Sequence, residues 1–474
     1  MPAELLEVLR RLDDALVTED GAGVKYVVAG AARDSQRRAW LEGVLGQRIY
    51  VELPASVEEA VNLRYDALLS TSPSDRAEAL MEASDFIDDN EDDIARLISY
   101  ETGKSLSLSR SEVEAAQAML QQAYLLVSSR GSASQGALHP ELEGDWRALQ
   151  LGVPGGVSLV LPPFTSPFFG AVAGAAASLA AGMPAVIKAP WQAPASALAA
   201  AAAIRGTDLG DYVSVLSVRG PGALVGQRFS SVVLFGRRGT ESSVRRVFGE
   251  GVVANCSGRA AVLLCSEPED VESLARGIVD MAVANAGQAC GSTRWVLTTR
   301  SLAGDLLDSM ADYAEQLSYG NPLDGKEVGP LRSRGLVDRA FKVINDAVSK
   351  GAELLVEPQA DGNYMRPVVL GEVPKGAEVM WSDVLAPMVA VSEFDSCAEA
   401  QQVLTMMGQA TTVIVYGGLS SASAIAESRP GYVVWGRDEA MTAVKAICHS
   451  VGDPAEHLAH GPRLPFRGSS LLLF

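Results

Sequence analysis

Apolar residues recur at helical spacing through the opening stretch MPAELLEVLRRLDDALVTEDG, with charges from the fourth residue onward. The chain is therefore expected to open on an amphipathic helix and not on a cleavable leader. Residues 56–127 keep the same period and read as two long amphipathic helices, with Ser56 and Ser74 as N-caps. From residue 155 the pattern changes. Short aliphatic and β-branched runs alternate with helical stretches: GGVSLVL, the loop PPFTSP, an Ala-rich helix over 168–181, MPAVIK, a helix over 193–204, YVSVLSV, a further helix, SVVLFG, and a helix from about Thr240. Continuously apolar strands separated by helices predict a parallel, doubly wound sheet covered on both faces. A second run follows Gly258: AAVLLC, a helix over 271–285, TRWVLTT, helices over 302–317 and 336–350, then AELLVE and MVAVSEF. The expected fold class is α/β, with two such domains and no internal repeat.

Composition narrows the function classes. A chain of 474 residues, 48% of them hydrophobic, buries enough surface for two or three domains. Its one membrane-like stretch, between Arg147 and Lys188, contains no charged residue and is long enough to span a bilayer. Gly155-Gly156, Pro162-Pro163, Pro167 and Gly182-Met183-Pro184 interrupt it, so a membrane partner is not expected. A formal net charge of -19 repels phosphate polyanions and argues against nucleic acid. Cys256, Cys265, Cys290, Cys397 and Cys448 are odd in number, irregularly spaced and without a C-x-x-C pair. Neither a disulfide framework nor a metal site is expected, and the location is expected to be cytoplasmic.

One cysteine stands in a distinctive setting. In NAGQAC, Cys290 falls between a helix ending near Gly287 and a strand beginning near Thr293, in a loop of small residues (Gly287, Ala289, Gly291, Ser292). Such a loop lets a substrate carbon approach the sulfur, and a thiolate there is a strong nucleophile. The other four cysteines read as small hydrophobes. The segments ASVEEAVNLRYDALL, ETGKSLSLSRSEVEAA, GVPGGVSLVLPPFTSPFFGAVAGAAASLAAGMPAVIKAPWQAP, NAGQACGSTRWVL, YGNPLDGKEVGPL and LPFRG follow one another along the chain. In order and spacing they resemble the landmark segments of the aldehyde dehydrogenase superfamily, over nearly the whole length.

That resemblance implies a Rossmann-type NAD(P)-binding domain over 1–132 and 152–255, an oligomerisation hairpin over 133–151 and a catalytic domain over 256–440. A C-terminal segment over 441–474 would return to the active-site entrance. It further implies that Cys290 adds to a small-molecule aldehyde, that hydride passes to NAD or NADP, and that a thioester remains for water or another acceptor. A homo-oligomer is expected, although the chain ends sooner after LPFRG than family chains do.

Several positions depart from the family pattern. Where E-L-G-G-K is usual, with Glu activating the deacylating water, this chain reads Asn255-Cys256-Ser257-Gly258-Arg259. Two readings of Asn255 stay open: transfer of the acyl group to coenzyme A, or a degenerate site in a weak or inactive homologue with a structural or regulatory role. Thr165 falls in the slot of the oxyanion-holding Asn. Lys188 matches the lysine that bonds the adenosine ribose, whereas the ribose-binding Glu is replaced by Trp191. The glycine loop reads FGRRGTES, with Gly236 and Gly239 expected at the cofactor pyrophosphate and Arg237 and Arg238 able to pair with phosphate. Asp383 stands for the Glu that bonds the nicotinamide ribose. His457 and His460 precede LPFRG as candidate substitute bases.

Overall fold

The computed structural model describes residues 2–54, 56–63, 65–130, 137–138, 149–150, 155–236, 238–256, 258–289, 291–407, 410–428, 432–435 and 471–473. They divide into two units. The first holds the residues up to Thr102 together with Ser109–Cys256, and the second holds Gly103–Leu108 and the described residues beyond Ser257.

In the first unit the aliphatic runs become strands with both faces covered: every residue of Ser158–Leu161 and Val213–Leu216 is buried. Seven strands lie in the order Val252–Cys256, Ser231–Gly236, Ser158–Leu161, Ala185–Lys188, Val213–Leu216, Tyr26–Val28, Ala31–Arg33. The first five are mutually parallel, and the last two run antiparallel at one edge. The chain winds outward in one direction from Ser158–Leu161 and then returns to its other side with Ser231–Gly236. In sheets of this kind the carboxyl ends of the strands at such a reversal are the usual ligand site. The charge-free stretch that resembled a membrane span is the strand–helix–strand unit at its centre, and its helix Pro167–Ala180 is buried along its whole length. No helix among the described residues is long and apolar enough to cross a membrane.

The second unit carries an eight-stranded sheet in the order Glu353–Leu354, Val368–Gly371, Met388–Phe394, Thr293–Thr299, Arg259–Leu264, Ala410–Tyr416, Tyr432–Trp435, Leu471–Leu473. All neighbours are parallel except the Glu353–Leu354 edge. Thr293–Thr299 is central, and the Nε1 of its fully buried Trp295 donates to the Val379 carbonyl at 2.8 Å.

Several expectations are corrected. Residues 56–127 form not two helices but Val57–Val61, Tyr65–Ser70, Pro73–Asp89, Glu91–Thr102 and Leu106–Arg130. The cap of the third is Ser72, whose side chain accepts from Asp75 N–H; Ser74 lies inside the first turn, behind Pro73. Gly103, at φ +72°, ends the fourth. Residues 103–108 group with the second unit because Gly329 packs so closely on Gly103 that a Cβ would lie 2.0 Å from its carbonyl oxygen. The helix expected before SVVLFG is a single 3-10 turn, Pro221–Leu224, and AELLVE contributes only Glu353–Leu354. Of the hairpin over 133–151, the described part is the antiparallel pair Ala137–Leu138 with Leu149–Gln150.

The cysteine reading is also corrected. Cys265 and Cys397 form a disulfide, Cα–Cα 5.5 Å, across 132 residues. Cys265 directly follows the strand Arg259–Leu264, and Cys397 opens the helix that returns to the neighbouring strand Ala410–Tyr416, so the crossover brings both to the same end of the sheet. Closing so long a loop typically stabilises by about 2–4 kcal/mol. The Tm of the second unit is therefore expected to fall in reducing buffer, and a Cys397→Ser variant is expected to melt at that lower temperature whether or not reductant is present. Equal melting of the wild type in both buffers would contradict the bridge.

Candidate active site

Lys188 closes the strand Ala185–Lys188 at the carboxyl edge of the first sheet. Its Nζ is mostly buried and donates to the Ala189 carbonyl at 3.2 Å; burial draws its pKa down to about 8. An ammonium has three N–H donors, and among the described residues only this one is engaged, so the group has donors to offer a ligand oxygen. Trp191, three residues on, lies under the guanidinium of Arg219 at 4.6 Å from the ring centroid. Sequence reasoning missed Arg219; its only signal was a basic residue just beyond the neighbouring strand Val213–Leu216.

Gly236 ends its strand, and the helix Arg238–Phe248 starts two residues later. Among the described residues and apart from its chain neighbours, a Cβ at Gly236 would come no closer than 3.5 Å to another atom, and at Gly239 it would meet nothing within 4 Å. The chain's own packing demands neither glycine, which suits a role in admitting a phosphate to the backbone. Arg237, and the side chain of Arg238, lie outside the described residues.

The other two helix starts of this sheet are filled from within the chain. Pro167–Ala180 and Pro194–Arg205 both begin on proline and lack a local side-chain cap. Glu112 Oε1 accepts from the N–H groups of Phe168 and Phe169, both at 3.0 Å. Glu101 accepts from Ala195 N–H at 2.8 Å and from the N–H and Oγ of Ser196 at 2.7 Å each. Burial pushes the Glu101 carboxyl up to about 7 against the lowering effect of those three donors. Both acids come from ETGKSLSLSRSEVEAA, where nothing in the local pattern marks them as caps; each reaches across the first unit to N–H groups that the nearby sequence leaves uncapped. Thr165 lies half-buried in the turn before Pro167, its carbonyl accepting from Ser166 Oγ at 2.9 Å. Asn255 lies in the strand Val252–Cys256 opposite Phe235.

In the second unit the segment before strand Thr293–Thr299 is a strained turn. Asn285, Ala286 and Gly287 adopt φ +49°, +53° and +71°, and Gly291 +72°. Two successive non-glycine residues in that region cost about 1 kcal/mol or more each. Gly287 is obligatory, since a Cβ would lie 1.8 Å from the Ala386 carbonyl oxygen. The buried Gln288 carboxamide staples the turn, donating to Asn285 and Pro330 carbonyls at 2.9 and 3.1 Å and accepting from Arg332 N–H at 2.9 Å. Cys290 lies outside the described residues, between Ala289 and Gly291, which are both described; His457 and His460 lie outside them as well.

Two buried arginines bond to this turn. Arg259 donates through Nε to Asp383 Oδ1 at 2.8 Å and through Nη1 to the Ala289 carbonyl at 2.7 Å. Arg294 donates to the Met388 carbonyl through Nη1 and to that of Gly287 through Nη2 at 3.4 Å, and its buried Nε has no partner among the described residues. Complete burial, and next the Arg259 charge, lower its pKa to about 9, while Asp383 opposes them. The Asn285 amide and the Ser292 and Thr293 hydroxyls are likewise buried and without partners among the described residues. Asp383, assigned from the sequence to the nicotinamide ribose, is here engaged by Arg259.

The family model described as the aldehyde dehydrogenase family matches residues 51–429, most of the chain. The chain belongs to the aldehyde dehydrogenase family. It is 27% identical over 367 residues to the 3-sulfolactaldehyde dehydrogenase of Priestia aryabhattai, covering 74% of this chain and 75% of that one. With the glutarate-semialdehyde dehydrogenase of Pseudomonas aeruginosa the figures are 26% over 392 residues, 76% and 80%. The aldehyde dehydrogenase fold is shared with the NADP-dependent glyceraldehyde-3-phosphate dehydrogenase of Bacillus halodurans C-125, solved with NADP. There the TM-score is 0.80 at 20% identity, covering 88% of this chain and 91% of that one. It is shared too with an NAD-dependent benzaldehyde dehydrogenase of Corynebacterium glutamicum, TM-score 0.77 at 18% identity, 89% and 94% covered.

Proposed function

We propose that this aldehyde dehydrogenase homologue oxidises a small aldehyde with NAD or NADP, Cys290 being the nucleophile. The observation that carries the reading is the turn around Cys290. Backbone strain tends to persist where a site requires it, and here three consecutive left-handed residues, an obligatory glycine and a stapling glutamine all serve the six residues from Asn285 to Cys290. The thiolate of Cys290 adds to the aldehyde carbon; that carbon then loses hydride, and the acyl group remains on sulfur as a thioester. A bound nicotinamide dinucleotide supplies the hydride acceptor. Lys188 holds its adenosine ribose, Trp191 packs on adenine, and Gly236 and Gly239 admit its pyrophosphate to the start of helix Arg238–Phe248. Assembly as a homo-oligomer belongs to the same proposal, with the hairpin that contains Ala137–Leu138 and Leu149–Gln150 as the contact element.

The test is reduction of NAD or NADP on adding aldehydes that include 3-sulfolactaldehyde and glutarate semialdehyde, the compounds for which two relatives are named. No reduced cofactor with any of them, and no labelling of Cys290 by an electrophile, would sink the proposal. Cofactor affinity, measured by calorimetry, is expected to fall as pH rises through about 8, because Lys188 is protonated below that pH and neutral above it. An ordinary lysine would place this fall near pH 10. Lys188→Met is expected to weaken binding about tenfold or more below pH 8 and to flatten the profile.

A further inference from the structure

We infer that Arg259 is a positioning residue for the reaction at Cys290: it clamps the turn on the thiol's N-terminal side to Asp383 and surrounds that turn with net positive charge. The inference rests on the proposed role of Cys290. Three consecutive residues, Gly258 and the first two of strand Arg259–Leu264, hold the turn from both sides. The Arg259 side chain takes the Ala289 carbonyl at 2.7 Å, the Gly258 carbonyl accepts from Gly291 N–H at 3.3 Å, and Ala260 N–H donates to the Ser292 carbonyl at 3.1 Å. The residue carrying the thiol is therefore flanked on each side by a bond to one short segment.

Charge adds to position. Charged side chains that bond to the turn or to one another beside it are Arg259 from one strand, Arg294 from the next, and Asp383 from the loop before Met388–Phe394; Arg332, whose N–H donates to Gln288 Oε1, is a further cation next to the turn, with an exposed side chain. Two guanidiniums face one carboxylate, which leaves one positive charge to favour an anion, and a thiolate is the anion this turn carries. Arginine suits the task where the family pattern has lysine. Its diverging N–H groups reach Asp383 and Ala289 at once, whereas an ammonium is a single compact charge.

Alkylation of the full-length protein by iodoacetamide without cofactor, followed across pH by mass spectrometry of the Cys290 peptide, tests this. Wild-type Cys290 is expected to label with a midpoint below that of an ordinary thiol. Arg259→Gln is expected to raise the midpoint by about one pH unit, about a tenfold loss of thiolate at neutral pH, while Arg259→Lys recovers most of the shift. Asp383→Asn, which keeps Arg259 in place, is expected to lower the midpoint and remains informative if Arg259→Gln fails to fold. Reactive wild-type Cys290 with a midpoint that Asp383→Asn and every folded Arg259 variant leave unchanged would overturn the inference but not the proposed function. Wild-type Cys290 labelling no faster than Cys448 would overturn both.

Discussion

Rapid mixing with NAD(P) and an accepted aldehyde is expected to give about one equivalent of reduced cofactor per chain in a fast phase, followed by slow turnover. The reason is Asn255, which stands where the family pattern has the glutamate that activates water for thioester release. A carboxamide cannot take a proton, and loss of a positioned general base costs about 10²–10⁴ in rate. Asn255→Glu is expected to accelerate the slow phase by about that factor while leaving the fast phase unchanged, because only the second step uses the base. Coenzyme A separates two cases. A thiolate attacks a thioester without help from a base, so relief of the slow phase by coenzyme A identifies acyl transfer. Steady turnover with no fast phase would show that another group of this chain activates water.

Cys290→Ala is expected to abolish the fast phase and the slow one together, a loss of about 10⁴-fold or more. Calorimetric binding of the cofactor should be unchanged, since Lys188, Trp191, Gly236 and Gly239 all belong to the first unit and Cys290 to the second. The result that would defeat the assignment is a Cys290→Ala protein retaining a tenth of wild-type turnover, with Cys256 the next thiol to test. A variant that also loses cofactor affinity would show misfolding, which Tm and circular dichroism detect.

The regular elements were legible where one physical signal dominated. SVVLFG, TRWVLTT and MVAVSEF coincide to the residue with strands Ser231–Gly236, Thr293–Thr299 and Met388–Phe394. Each is apolar and β-branched enough to be buried on both faces, so neighbours could change little. The helical period over 56–127 was legible too, but its breaks were not. A period continues across a gap of two residues, and the ends are decided by local bonds such as Ser72 to Asp75. The strands between Gly23 and Glu52 are not legible in the sequence, being two to five residues long and stable only through their pairing.

By itself the sequence determined the class of the fold, two α/β units, and the small-residue turn before strand Thr293–Thr299, because these depend on apolar period and on local backbone freedom. The tertiary structure alone decided which distant groups meet. Glu101 and Glu112 cap helices 94 and 56 residues away, Cys265 meets Cys397, and Arg259 takes Asp383 across 124 residues. Strand order, which no local pattern encodes, brings these residues together. Once buried, a charge or a free N–H must find its partner among whatever groups that order has placed beside it.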